Sequence, residues 1–423
     1  VRDRLLGRPG RDADVEIHGL QPEVVETLVA AQGKVHLVGR QFAVLHVTTP
    51  EGELEVSLPR RESKTGPGHK GFAVHADPHL GPHEAARRRD FTVNAMLEDP
   101  LTGEVIDPYG GREDLRRGLL RHVSAAFAED PLRVLRAGRF AARFGWRVHA
   151  ETSALCRGLD LGELPRERIE REWQEILLNG AFPGQGVRVL EACGALRAFP
   201  ELAALRGVPQ DPVWHPEGDV LTHTALCLDA AVSLRDAMED PWLEMLAVLC
   251  HDLGKANTTV FERGRWRSAM HDETGAPLTI ALLARITERA GLAEAVAALV
   301  REHLRPGQLH LVRDQVGDSA IRRLATRVDL RALVRVAWAD AAGRRMPMPQ
   351  PWPAAEWLLA RAESLGVRDA APAPLLQGRD VLALGVPPGP RVGALLREAY
   401  ESQLDGGLAD RDQALAWLRA QIT

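Results

Sequence analysis

The sequence predicts an α+β chain: a mixed sheet with helices over residues 1–111, then helices almost throughout from about residue 112. Three observations predict it. Leu54-Glu55-Val56-Ser57-Leu58 alternates apolar and polar side chains with period two, the pattern of a half-buried strand. Arg133, Arg136, Arg139 and Arg143 recur every three to four residues behind Asp130-Pro131, a capping carboxylate followed by a proline at the first helical position. Proline clusters at 200–216 and 346–353 interrupt the helical remainder and mark joints.

Val15-Glu16-Ile17 is the first strand candidate, and Pro22 to Ala31 reads as a helix behind it. Val35-His36-Leu37-Val38 and Ala43 to Thr48 are two further strands before the alternating Leu54 segment. The basic run Arg60-Arg61-Glu62-Ser63-Lys64 leads into Gly66-Pro67-Gly68-His69-Lys70-Gly71, a loop by its glycine and proline content. A helix is expected over Glu163 to Leu178. Pro372 to Pro374 and Pro387 to Pro390 break up the helical tail, and no solenoid repeat is present.

At 423 residues the chain is long enough for two to four domains, and 45% hydrophobic with 26% charged residues is an ordinary globular composition. The net charge of -5 excludes a globally basic surface, so nucleic acid must be met by a local patch. Residues 112–147, with nine arginines against four acidic residues, supply the candidate. The four cysteines, Cys156, Cys193, Cys227 and Cys250, show no C-x-x-C spacing and read as buried thiols of a reducing compartment. No apolar run is long enough to span a membrane and no signal peptide is evident, so a cytoplasmic location is expected.

Asp12 and Asp14 stand two apart, so on a strand both carboxylates face one side and can grip a hard cation such as Mg²⁺. Two such ions suit nucleotidyl transfer, in which one oxygen attacks while pyrophosphate leaves. Glu55 is the candidate third carboxylate, from a neighbouring strand. Arginine-rich stretches follow: Arg87-Arg88-Arg89-Asp90-Phe91-Thr92-Val93-Asn94-Ala95-Met96, then Asp107-Pro108-Tyr109-Gly110-Gly111, then Phe127-Ala128-Glu129-Asp130-Pro131-Leu132-Arg133-Val134-Leu135-Arg136. In order and spacing these resemble the class II tRNA nucleotidyltransferases, the CCA-adding enzymes and their bacterial poly(A) polymerase relatives. Val1-Arg2-Asp3-Arg4-Leu5-Leu6-Gly7-Arg8 resembles that family's Gly-Gly-x-Val-Arg-Asp-x-Leu-Leu-Gly motif without its glycine pair, so an incomplete N-terminus is expected. The resemblance implies triphosphate or ribose contacts for Arg2 and Arg89, and base contacts for Asp130 and Arg133. Arg136 and Arg139 align with further nucleotide-binding positions. The chemistry of base choice is sound in itself. A carboxylate accepts from the exocyclic amine that C and A share, a guanidinium donates to the ring nitrogen or carbonyl, and G and U present the opposite polarity.

Cys250-His251-Asp252-Leu253-Gly254-Lys255 resembles the signature of HD-type metal phosphohydrolases. That resemblance implies an earlier His and a later Asp as further ligands, with His223 and Asp340 the candidates. His271 and His303 extend the set toward a two-metal site. Imidazole and carboxylate donors suit Mn, Ni, Fe, Co or Zn. The implied activity is phosphatase or 2′,3′-cyclic phosphodiesterase; the plain alternative is an HD fold kept as a tRNA-binding platform.

These readings divide the chain into a nucleotidyltransferase catalytic head at 1–111, a helical neck at 112–205 for base and RNA binding, an HD domain at 206–345 and a helical tail at 346–423. The expected function is CCA addition to tRNA from CTP and ATP, with no DNA or membrane partner. A-adding or poly(A)-adding activity remains open, as does an HD phosphohydrolase with an inactive RNA-binding head. The intact basic run at 60–64 argues against CC-only addition, since the family's CC-only members tend to lack that loop.

Overall fold

The computed structural model describes residues 1–8, 13–37, 44–49, 52–64 and 72–422. The chain divides into two compact units, Val1–Ala198 and Phe199–Thr423. Among the described residues no helix is long and apolar enough to cross a membrane.

In the first unit four strands form a mixed sheet in the order β1-β4-β3-β2: β1 Ala13–Glu16, β2 Lys34–Leu37, β3 Val44–Thr49 and β4 Gly52–Ser57. β1 and β4 run parallel, whereas β4 with β3 and β3 with β2 are antiparallel. Each strand starts and ends within about two residues of its sequence expectation. The period-two pattern explains the sheet's two faces. Leu45, Val47 and Val56 point to one side, where they bury against Val25 and Val29 of the Pro22–Ala30 helix. His46 and Glu55, the residues between, face the other side and are exposed. The basic run forms a strand, Arg60–Lys64, antiparallel to Phe72–Ala76; the glycine-rich segment 66–71 lies outside the described residues.

Helices account for most of the rest of this unit. The arginine helix spans Leu132–Phe144 and buries Val134, Leu135, Phe140 and Ala141 against the Arg166–Leu177 and Pro183–Ala192 helices. Burial alternates along it so that Arg133, Arg136, Arg139 and Arg143 stay half-exposed on one side.

In the second unit, three helices are started by aspartates whose carboxylates accept backbone N–H groups. Asp219 caps Val220–Ala231, Asp240 caps Pro241–Cys250 and Asp329 caps Leu330–Gly343. Each cap contributes about 0.5–2 kcal/mol. All four cysteines are free and buried. The C-terminal helices bury a cluster of their own around Val381, Ala414 and Leu418.

The expectation of helix almost throughout from residue 112 misses two β elements: a short parallel pair, Leu119–Leu120 with Arg147–Val148, and a β-hairpin at Thr259–Glu262 and Arg265–Ser268. The hairpin's two-residue turn has Arg263 at φ 52 and Gly264 at φ 78. Two consecutive positive φ values match the twist of a tight hairpin.

Candidate functional site

In the first unit, β1 and β4 bring two of the three predicted carboxylates side by side. Asp14 is the register partner of Glu55 across the parallel pair, so both lie on the exposed face of the sheet. Glu55 is also opposite His46, whose Nε2 lies 3.8 Å from its carboxylate. Asp12 lies outside the described residues. The donors present, exposed carboxylate oxygens from adjacent strands, are of the hard type that suits Mg²⁺.

Arg89 reaches the same strand, and the other arginine motifs are linked to it through side-chain contacts. Arg89 donates to the carbonyl of Asn94 at 3.1 Å and to Glu16 of β1 at 3.3 Å. Asp90 is buried, accepting from Arg136 at 2.8 Å, from Asn94 Nδ2 at 2.9 Å and from the Phe91 amide at 2.7 Å. Burial alone would raise the Asp90 carboxyl; the Arg136 charge and the hydrogen bonds from Asn94, Arg136 and Phe91 hold it below its ordinary value. Arg2 donates to Asp3 at 2.7 Å and to Asn94 Oδ1 at 2.5 Å, and Arg143 donates to the other Asp3 oxygen at 2.9 Å. Arg2 also stacks over Phe140 and Phe144 at about 5 Å. The N-terminal helix, the 87–96 segment and the arginine helix are therefore tied together through Asp3, Asn94 and Asp90. The sequence reading did not assign a role to these three.

Asp130 and Arg133 are close in the chain but occupied separately. Asp130 has extended backbone just ahead of the helix, so it is not on the helix face one turn from Arg133. Its carboxylate accepts the Leu132 amide at 3.1 Å and Arg168 at 3.0 Å. Arg133 donates to the carbonyls of Ala126 at 2.7 Å and Arg88 at 2.6 Å. Arg139 donates to the buried Glu172 at 3.2 Å. Burial raises the Glu172 carboxyl, with Arg139 and Arg136 opposing it. Of the nine arginines counted along 112–147, Arg136, Arg139 and Arg143 are thus met by acids from other segments.

In the second unit all six predicted HD residues come together. Two glycines permit it. A Cβ on Gly254 would stand 2.0 Å from the His271 carbonyl, so only glycine lets the His251–Lys255 turn approach the His271–Ile286 helix. A Cβ on Gly343 would stand 2.3 Å from Cys227 Sγ, so glycine also sets the approach of the Asp340 helix to the His223 helix. Asp252 Oδ1 then lies 3.3 Å from His271 Nε2, and Asp252 Oδ2 lies 3.2 Å from His251 Nε2. Asp340 lies 3.0 Å from His223 Nε2. His303 completes the cluster, its ring 5.4 Å from that of His251 and 5.3 Å from that of His271.

The hydrogen bonds fix how the rings present themselves. His251, His271 and His303 each donate Nδ1–H to a carbonyl three residues back, of Val248, Ser268 and Val300, at 2.7, 2.8 and 2.6 Å. Their Nε2 atoms are buried and have no hydrogen-bond partner. All three Nε2 atoms therefore point into the cluster, those of His251 and His271 toward the Asp252 carboxylate, the orientation that metal ligands require. Burial, with His251 and His271 nearby, pushes His303 down to about 3, keeping it neutral. Imidazole nitrogens with carboxylate oxygens fit a first-row transition ion.

Several members of this centre have no assigned role in the sequence. Cys227 Sγ lies 3.3 Å from His223 Nε2, one helical turn on. Glu217 accepts from His223 Nδ1 at 2.7 Å and from His215 at 2.9 Å. Lys255 Nζ lies 2.8 Å from Asp252, and Arg344 donates to Asp340 at 2.8 Å. The i, i+4 spacing of His223 with Cys227, and of Asp340 with Arg344, is the signal that points to two of them.

Residues 1–121 match the Poly A polymerase head domain and residues 220–344 the HD domain. The multifunctional CCA protein of Nitrosococcus oceani is 40% identical over 371 residues, covering 85% of this chain and 86% of its own length. The chain belongs to the multifunctional CCA protein family. Its fold is also that of solved CCA-adding enzymes. The Bacillus stearothermophilus enzyme in complex with CTP gives a TM-score of 0.57 at 22% identity, covering 100% of this chain and 91% of that one. The Thermotoga maritima enzyme complexed with tRNA gives 0.55 at 20% identity, covering 100% and 89%.

Proposed function

We infer that the chain is a CCA tRNA nucleotidyltransferase, which adds CCA to tRNA 3′ ends from CTP and ATP without a nucleic-acid template, and that its second unit carries a metal-dependent phosphohydrolase centre. The observation that carries the first part is the Asp14–Glu55 pair on adjacent strands, with Arg89 reaching Glu16 of β1 and tied through Asn94 and Asp90 to Arg2 and Arg136, in a member of this family. Residues 1–111 act as the catalytic head, 112–205 as the neck, 206–345 as the HD domain and 346–423 as the tail. The protein works in the cytoplasm, where tRNA, CTP and ATP are its partners.

Asp12, Asp14 and Glu55 would hold Mg²⁺, which when bound lowers the charge barrier between the attacking 3′-hydroxyl and the departing pyrophosphate. Arg2 and Arg89 contact triphosphate or ribose. Asp130 accepts from the exocyclic amine of C or A, while Arg133 donates to the ring acceptor. Both side chains are engaged within the protein here, Asp130 with Arg168 and Arg133 with two carbonyls, so base binding must exchange those contacts. Arg136 and Arg139, braced by Asp90 and Glu172, keep the helix aligned beneath the nucleotide.

In the HD domain His223, His251, Asp252, His271, His303 and Asp340 would hold one or two ions among Mn, Ni, Fe, Co and Zn. The bound metal supplies a Lewis acid and an activated water for a phosphomonoester or a 2′,3′-cyclic phosphate. The three unpartnered Nε2 atoms favour this active reading over a purely structural platform. Competition among labelled CTP, ATP, GTP and UTP on tRNA lacking its CCA end tests the transferase. C and A incorporate and G and U do not; equal incorporation of all four would remove Asp130 and Arg133 from base choice.

A further inference from the structure

The hairpin Thr259–Ser268 is used by neither reading, yet it is rooted in the metal centre at both ends. On one side, Thr259 Oγ1 donates to the carbonyl of Lys255, whose ammonium lies 2.8 Å from Asp252. On the other, the Ser268 carbonyl is the acceptor that orients His271. Thr259 and Ser268 close the base through their hydroxyls at 2.8 Å. Register sorts the hairpin's faces. Phe261 opposes Trp266, and with Thr259 and Ser268 they make one face, while Val260, Glu262, Arg265 and Arg267 make the other.

The first face carries an aromatic pair, of which Phe261 is exposed and Trp266 half-buried. Phe261 is 62% exposed, with its ring 5.0 Å from that of Trp266, and Met270 just beyond is exposed as well. Aromatic side chains on a two-stranded ribbon lose area to water without return unless something covers them. The rest of the hairpin says what that is. Within ten residues it holds three arginines, Arg263, Arg265 and Arg267, against the single acid Glu262. Arg263 sits at the exposed turn, and Arg267 Nε is enclosed with no hydrogen-bond partner. Aromatic rings interleaved with arginines suit unpaired bases joined by phosphates, whereas an apolar protein partner would not call for the arginines.

We propose that this hairpin is the docking arm for the single-stranded 3′ end of an RNA substrate, stacking a base on Phe261 and Trp266 while Arg263 at the turn meets the adjoining phosphate. The terminal phosphate is thereby delivered to the centre at which Ser268 orients His271. The proposal rests on the phosphohydrolase reading for what happens to that end, but binding itself does not require hydrolysis.

The test uses the metal-loaded full chain and two substrates, a short single-stranded RNA ending in a 2′,3′-cyclic phosphate and p-nitrophenyl phosphate, which has no base to stack. Phe261→Ala and Arg263→Ala should each raise KM for the RNA about tenfold, the order of one lost stacking or phosphate contact. The small substrate should be turned over as before. Phe261→Leu, which keeps apolar bulk without a π face, should behave as Phe261→Ala, and unchanged metal content shows that His271 has not been displaced. In parallel, RNA carrying 4-thiouridine at its 3′ end should crosslink to the peptide that contains Phe261 and Trp266. Crosslinking with no hydrolysis of either substrate sinks the phosphohydrolase reading and leaves the docking arm standing. Hydrolysis with unchanged RNA KM in all three variants, or with no crosslink to this peptide, overturns the docking arm alone. A change in self-association without a change in RNA KM would likewise overturn it and assign the face to a protein partner.

Discussion

The head and the HD cluster both crowd charge, and they resolve it in opposite ways. In the head and neck, Arg2, Arg89, Arg133, Arg136 and Arg139 all have protein acceptors, most of them far away in the chain. In the HD cluster, three buried imidazole nitrogens have none. A buried polar atom left without a partner costs about 1–3 kcal/mol, so a fold that keeps three together has ligands set in advance for an ion. A site whose arginines are engaged in this way must trade internal contacts for substrate contacts. The first kind of site is rigid before its ligand arrives; the second is held in shape by the pairs it later gives up.

The largest effects should come from the metal-gripping carboxylates. Asp14→Ala, alone or with Asp12→Ala, should lower nucleotide addition by about a thousandfold or more, since several kcal/mol of transition-state stabilisation is lost. The fold should survive, because Asp14 is exposed. Circular dichroism and labelled CTP incorporation check both halves. Nearly normal incorporation at ordinary Mg²⁺ would detach the carboxylate pair from the chemistry.

His251→Ala with Asp252→Ala should remove the HD metal and with it phosphohydrolase activity, while CCA addition persists. Metal content after dialysis against a chelator and refilling with Mn, Ni, Co or Zn gives the direct readout. Retained hydrolysis in this variant would mean that the six residues, though clustered, do not form the working centre.

Asp90→Asn probes the paired side of the comparison. Breaking a buried ion pair from one side costs about 3–5 kcal/mol, and here it also loosens Asn94 and with it Arg2 and Arg89. Because the folded-state pKa of Asp90 is depressed, its contribution is present above the unfolded value near 4 and is lost as pH falls through the folded value. Thermal unfolding from pH 5 to pH 2 should therefore fall more steeply in the wild type than in Asp90→Asn. Parallel curves would place the stabilisation elsewhere.

Arg133→Ala should have the smallest effect. It should relax discrimination of C and A from G and U by about 1–3 kcal/mol. Loss of its two carbonyl contacts should also lower the unfolding midpoint. A midpoint change with unaltered base preference would leave Arg133 as a tether between the arginine helix and the 87–96 segment, with the base read by other groups.

The same contrast explains what was legible in the sequence. The Leu54–Leu58 strand followed from period-two alternation, His251 and Asp252 from a compact signature whose glycine is required by the approach to His271, and the other candidate HD ligands from what the resemblance implies. The pairing of the arginines was not legible. Arg136 meets Asp90 across 46 residues and Arg143 meets Asp3 across 140, and neither helix periodicity nor local charge names a partner at such distances. Counting charge along 112–147 therefore suggested a basic surface where the fold builds ion pairs. The hairpin at 259–268 was missed because its turn is Arg263-Gly264 rather than Asn-Gly, and its strands alternate aromatic residues with arginines inside a helical region. Cys227 read as an ordinary buried thiol, which its burial supports; only the fold places it beside His223.

The most direct test of transferase function is the 3′ sequence of the product. Purified protein is given tRNA ending at the discriminator nucleotide, with CTP, ATP and Mg²⁺, and the extended ends are sequenced. The account predicts addition of C, C and A in that order, then termination, with the same ends formed by the His251→Ala, Asp252→Ala variant. Addition of A alone to tRNA already ending in CC, or a run of A residues, would contradict full CCA addition; absence of any extension would leave the head as an RNA-binding module beside a phosphohydrolase.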